Sequence, residues 1–173
     1  MGKMKKIIIF LAILVFTGGI PSSCKISYSF TGANISPAVK TFSVYYFTNR
    51  SKLINPTLSQ SYTEALREKI QRQTSLDEVQ ENGDLVYEGY IDGYEVRPMA
   101  IQAEDLAAQN RLTITVVLKY TNNVEPEQNV EQTFRAFEDF DANLSLADIE
   151  DSLVPEIIEK LNEDIFNATI ANW

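Results

Sequence analysis

Residues 111–121 read RLTITVVLKYT, and their alternation decides the fold class. Leu112, Ile114, Val116, Leu118 and Tyr120 share one parity, while Arg111, Thr113, Thr115 and Lys119 share the other. Successive strand side chains point to opposite faces, so this run is a strand with one core face and one solvent face. A sheet buried on one side needs a second layer to cover that side alone.

The pattern repeats on both sides of this stretch. Asn122–Asn129, with Pro126 inside, reads as a polar hairpin loop, and Val130–Phe140 returns as a strand. Upstream, Leu85–Arg97 (LVYEGYIDGYEVR) is another strand. Leu85, Tyr87 and Ile91 share one parity there, but Tyr94 and Val96 share the other, so a bulge is expected near Gly93. Pro98 ends it, and Met99–Asn110 reads as one helical turn or a long loop. Lys40–Phe47 (KTFSVYYF) predicts a first strand with Phe42, Val44 and Tyr46 on one face; Leu76–Gln80 is a short strand candidate before the turn at residues 81–84.

Two segments carry the helical period instead. Asn55-Pro56 is a start signal, Asn capping and Pro opening the first turn. Leu58, Tyr62, Ala65, Leu66, Lys69 and Ile70 then trace one stripe. Ser145-Leu-Ala-Asp148 reads as a capping box, followed by Leu146, Ile149, Leu153, Ile157, Leu161 and Ile165. Pro155 inside that stripe either kinks one helix or separates two. Phe166, Ile170 and Trp173 stay apolar to the last residue, which predicts a docked terminus. The order β-α-(β)-β-β-β-α predicts an α+β two-layer sandwich: an about four-stranded, largely antiparallel sheet with two helices packed on one face.

The chain opens with a different signal. Residues 3–24 read KMKKIIIFLAILVFTGGIPSSC: three lysines, an apolar run from Ile7 to Phe16, two glycines, and two serines before the only cysteine. That is the layout of a secretory signal, and the run is about half of the ~20 residues a membrane-spanning helix needs. Two cleavages are open. A general signal peptidase could cut nearby and leave Cys24 idle. Alternatively the segment resembles a bacterial lipoprotein signal, cut before Cys24 with acyl chains attached to it, although Pro21 stands where such boxes carry Leu. The boundaries are then residues 1–23 as signal peptide, 24–39 as lipid-anchored arm and 40–173 as folded domain.

Loss of the three signal lysines leaves 12 basic against 24 acidic residues, a net charge of −12. Such a surface argues against nucleic acid and against electrostatic docking on anionic headgroups, so membrane attachment would rest on lipid at Cys24. One cysteine permits no internal disulfide. The absence of histidine removes the commonest general base and the commonest metal ligand. Glu138, Asp139, Asp141, Glu150 and Asp151 come in solvated runs, and no glycine-rich phosphate loop joins a strand to a helix. The expectation is a protein without enzymatic activity, cofactor or metal. The outward parity of the strands offers Arg97, Arg111, Lys119 and Arg135, a set able to meet phosphorylated or carboxylated glycolipid. Each could equally pair across strands, with Glu88, Asp92 or Glu131 as partners.

Several stretches together resemble the LptE family in its Bacteroidetes form. They are Tyr28-Ser-Phe-Thr-Gly32 with Ile35, Pro37, Lys40 and Thr41; Asn55-Pro56-Thr-Leu-Ser-Gln60; Thr63-Glu-Ala-Leu66; Gly83-Asp-Leu with Glu88-Gly89, Ile91 and Gly93-Tyr94-Glu-Val96; Arg111-Leu-Thr-Ile-Thr-Val116; and Ala171-Asn-Trp173. The resemblance implies an outer-membrane lipoprotein of lipopolysaccharide transport with helices on one side of a sheet. It implies a role in plugging the LptD β-barrel translocon and assisting its assembly, with contact to lipopolysaccharide. Lys25, rather than Asp, follows Cys24, which by the sorting pattern of such lipoproteins implies a periplasm-facing anchor in the outer membrane. The other reading is a free periplasmic lipid-binding or carrier lipoprotein with no barrel partner. It predicts an apolar cavity between helices and sheet.

Overall fold

A computed structural model describes residues 35–53, 55–99 and 108–171. The signal peptide, Cys24, most of the arm, much of the Met99–Asn110 connection and Trp173 therefore lie outside the described residues. In chain order the elements are β1 (Thr41–Val44), β2 (Thr48–Asn49), α1 (Leu58–Gln73), β3 (Asp77–Glu78), β4 (Leu85–Pro98), β5 (Gln109–Asn122), a 3₁₀ turn (Pro126–Gln128), β6 (Val130–Asp141) and α2 (Leu146–Thr169).

The sheet corrects the sequence expectation. It has six strands in the order β3-β1-β4-β5-β6, with β2 also on β4, and it is mixed rather than largely antiparallel. β4, β5 and β6 are the expected antiparallel meander. β1 and β2 join β4 in parallel, and β3 joins β1 in parallel. Parallel partners need a crossover, and α1 supplies it. β1 and β3 form within the expected Lys40–Phe47 and Leu76–Gln80, but two-residue β2 carries no periodicity to read, and neither it nor the parallel pairing was legible.

Two irregularities set the faces. Between Ile91 and Gly93 the β4 register shifts against β5, leaving Asp92 as the extra, exposed residue. The expected bulge returns Tyr94 to the core at 1 % exposure, with Val96 packed beside it. The second irregularity was not foreseen. Val44 pairs with Tyr87 and Thr48 with Tyr90, so the first edge takes four steps while β4 takes three. The extra residue flips parity. Tyr46, expected on the core face, is 56 % exposed, and Phe47 is fully buried instead, its backbone N–H donating to Thr63 Oγ1 at 3.1 Å.

The helices follow their stripes with altered ends. α1 starts at Leu58 rather than Pro56, yet Asn55 still closes its first turn: its Oδ1 accepts from the N–H of Thr57 and of Leu58, each at 2.9 Å. Ser145 holds the N-cap position of α2 without a side-chain cap bond, so the capping box does not form. Pro155 does not divide α2, which runs as one helix of 24 residues. Since proline has no N–H, the Asp151 carbonyl lacks its usual donor four residues on.

Both helices bury their stripes against the same sheet face in one core. Leu58, Tyr62, Leu66 and Ile70 of α1 and Ile157, Leu161, Ile165 and Phe166 of α2 join Leu112, Ile114, Val116, Leu118 and Tyr120 of β5. Four of the largest fully enclosed side chains are tyrosines. Buried phenols usually need partners. Tyr87 has Thr169 Oγ1 at 3.2 Å and Tyr94 donates to Glu150, whereas Tyr62 Oη has none among the described residues.

Candidate functional site

The four cations expected on the sheet do lie on its helix-free face, but not as a cluster. Arg97 stands directly across from Arg111, which stands across from Asp139. Arg111 forks onto Asp139 at 2.7 and 2.8 Å and lies 3.6 Å from the Phe137 ring centre. That fork holds the Asp139 carboxyl below the ordinary carboxylate range. Arg97 turns along its own strand to Glu95 at 2.6 Å, and Lys119 reaches Glu88 at 3.0 Å. Arg135 hydrogen-bonds Thr115 Oγ1 at 3.3 Å and, among the described residues, has no carboxylate within ion-pair distance. With a rise of about 3.4 Å per residue, Arg111 and Lys119 stand about 27 Å apart along β5. That is several times the ~8 Å screening length of physiological salt, so they cannot act as one anion site. Of these four, only Arg97 and Arg111 stand directly opposite each other, and only Arg135 has no ion-paired carboxylate among the described residues.

The sequence reading missed a fifth cation here. Arg50, just past β2, lies 3.9 Å above the Tyr90 ring, and Tyr90 sits two rungs from the Thr115–Arg135 pair. Only the register of a two-residue strand brings it there.

It also missed the groove between the helices. Asn55 Nδ2 donates to Glu150 Oε1 at 2.9 Å at one end, and Lys69 pairs with Glu163 near the other. Residues therefore advance together, and α1 and α2 run parallel. On the side away from the sheet they leave a cavity of about 830 Å³. Ala65, Val154, Pro155 and Ile158 give it apolar walls, and Ser61, Lys69, Glu150, Asp151, Glu159 and Asn162 give it polar ones. Asn162 is 2 % exposed, and its side-chain oxygen has no hydrogen-bond partner among the described residues. One signal was available: Asn162 sits four residues after Ile158 and four before Phe166, a polar residue on an apolar stripe.

At the far end of the helices, Asp84 ties the turn before β4 to the start of β1. One carboxylate oxygen accepts from the N–H of Lys40 (2.8 Å) and of Thr41 (2.9 Å) and from Thr41 Oγ1 (3.0 Å). Those donors, the Lys40 N–H first, hold its carboxyl below the ordinary range. Asn82 in that turn adopts φ 55°, which Asn tolerates better than most residues.

No helix among the described residues is long and apolar enough to cross a membrane. No curated protein sequence matches the chain. Solved structures give distant likenesses. One is a minor lipoprotein of Acinetobacter baumannii, at 14% identity over 73% of this chain and 89% of that one, with a TM-score of 0.44. Another is lipoprotein B of Nitrosomonas europaea, at 12% identity over 73% and 79%, with a TM-score of 0.48. Rare lipoprotein B of Shewanella oneidensis follows at 12% identity over 75% and 90%, with a TM-score of 0.39. At these scores the likenesses add nothing about this chain. A family model does: LptE, lipopolysaccharide-assembly, matches residues 39–169, every element from β1 to the end of α2. The chain belongs to the LptE family.

Proposed function

We propose that this protein is a non-enzymatic lipoprotein of lipopolysaccharide assembly. Acylated at Cys24, it is anchored on the periplasmic side of the outer membrane and seated in an LptD-like β-barrel, whose assembly it assists. The observation that carries this reading is the family match across the whole folded domain. The two-dozen-residue signal with its terminal cysteine and the acidic surface support the anchor, because lipid rather than charge must then hold the protein to a membrane.

The interior favours this reading over the free lipid carrier. A carrier needs an apolar cavity between helices and sheet. That space holds Tyr62, Leu66, Ile114, Val116, Leu118 and Ile157, each fully enclosed, so protein side chains already fill it. Of the candidate glycolipid contacts, Arg135 stands first, because Arg97, Arg111 and Lys119 would each have to give up a carboxylate to meet a phosphate.

The test is affinity capture of the full chain after mild detergent extraction, read by mass spectrometry. Recovery with a β-barrel of much larger mass, and an acylated Cys24, is expected. Recovery as a lone monomer carrying lipid in the domain would favour the carrier. Cys24→Ser should move the protein out of the membrane fraction when the barrel is absent, with the domain still folded, since the core among the described residues runs from Val39 to Ile170.

A further inference from the structure

We propose that the open edge of β6 takes up an extended strand of another polypeptide that carries lysine or arginine at alternate residues. This margin lies at the far side of the sheet from β3, and the proposal does not depend on the assembly role. Among the described residues β6 pairs with β5 alone, so one side of its backbone has no strand beside it. Neighbouring bonds show which residues turn that way. The Ala142 N–H donates to the Ala108 carbonyl and the Met99 N–H to the Gln109 carbonyl, so even-numbered residues of β5 and β6 bond one another. The N–H and C=O groups of Thr133, Arg135, Phe137 and Asp139 therefore point outward. Lys160 of α2 agrees with that direction, its Nζ standing 3.5 Å from the Phe137 carbonyl oxygen. Such a row of unpaired groups is a template for an added strand.

Charge selects the strand. On the helix side of the edge, α2 and β6 border a cavity of about 650 Å³. Glu138 there is met by Lys160, and Glu163 by Lys69. Glu156, Glu159 and Asp164 are exposed and make no ion pair among the described residues. Arg135 turns instead to Thr115 on the other face. A strand laid on β6 sends every second side chain over this margin. Glu156 and Asp164 stand about 12 Å apart along α2, at about 1.5 Å per helical residue. Three alternate residues of a strand span about 14 Å, so three basic side chains match that length. The side chains between them fall beside Phe137, which is 42 % exposed, and can be apolar. A second copy of β6 would instead bring the same carboxylates against these, which charge disfavours.

The test uses the full chain in a nonionic detergent at low salt, with amide hydrogen exchange read residue by residue by NMR. The probe is a short peptide alternating lysine with valine. One control alternates glutamate with valine. The other alternates lysine with proline, which keeps the charge but removes the N–H groups that would bond β6. The lysine–valine peptide should slow exchange at Thr133, Arg135, Phe137 and Asp139 by about tenfold or more, and neither control should. The double variant Glu156→Gln/Asp164→Asn changes exposed residues only, so it should fold normally and bind the peptide about threefold more weakly or worse. Thr133→Pro removes an outward N–H and no bond to β5, so the sheet should hold while the protection is lost. The proposal is overturned if the lysine–valine peptide protects none of the four amides, if either control protects them as well, or if either variant binds undiminished. Slow exchange at these four before any peptide is added would overturn it too, because this chain or a second copy would then already occupy the edge.

Discussion

Gly89→Ala should be among the most damaging single-methyl additions this domain can receive. Gly89 lies in β4 where the extra residue between β1 and β2 has turned Phe47 inward. A β-carbon at position 89 would stand 2.1 Å from the Val117 carbonyl oxygen and 2.6 Å from Phe47 Cε1. Ordinary contacts begin more than an ångström farther out, so β5 must retreat from β4 by about 1 Å at this rung. A ring can rotate away, but a carbonyl in the middle of a sheet cannot. Overpacking costs about 1–3 kcal/mol. Each ladder hydrogen bond left unmade in a buried sheet adds about 1–3 kcal/mol. With one such bond lost the sum is about 2–6 kcal/mol, against a total stability of about 5–15 kcal/mol for a domain of this size. Gly93 is the internal control. Its added carbon would meet only the Thr115 side chain, at 3.1 Å, so Gly93→Ala should cost under about 1 kcal/mol, since alanine also restrains the unfolded chain. Gly83 falls between, at 2.7 Å from the backbone of Phe42 and Ser43. Urea denaturation followed by circular dichroism gives the order Gly89→Ala, then Gly83→Ala, then Gly93→Ala. A Gly89→Ala protein as stable as Gly93→Ala would refute the packing of Phe47 over β4.

Two pH responses follow from buried or tethered groups. Burial pushes the Tyr120 phenol up to about 12, and burial is the leading cause that also raises Tyr62, Tyr87 and Tyr94. A raised pKa favours the fold below the unfolded value near 10, and that contribution fades as pH climbs through the folded value. Stability should therefore fall above about pH 10, and phenolate absorbance from these four should appear with unfolding rather than before it. Early, fully reversible titration of all eight tyrosines would contradict their burial. Asp84 works in the opposite direction: its depressed carboxyl contributes above the unfolded value of 3.8, and the contribution is lost as pH falls through the lower folded value. Asp84→Asn should thus lower the thermal midpoint at neutral pH and flatten its decline in acid. An unchanged acid profile would remove Asp84 as the clasp between β1 and β4.

The amino-acid sequence by itself determined the meander and the two helices. Long strands such as Arg111–Thr121 expose their period over many residues, and a 16-residue helix does the same at its own spacing, so local pattern suffices. It also located the bulge near Gly93, because two parities met there. Only the tertiary structure decided the rest. β2 and β3 are two residues each; Leu76–Gln80 marked the place of β3, but β2 and the parallel pairing of both exist only through partners brought up by a crossover. The exchange of Tyr46 for Phe47 is a counting difference between β1–β2 and β4, invisible in either alone. The sheet cations were legible as outward residues, but their carboxylate partners and their spacing came from register. Asn162 could be seen as a polar residue on an apolar stripe. Whether it met a partner depended on a parallel helix more than ninety positions earlier, and hydrogen bonds are satisfied in space rather than along the chain.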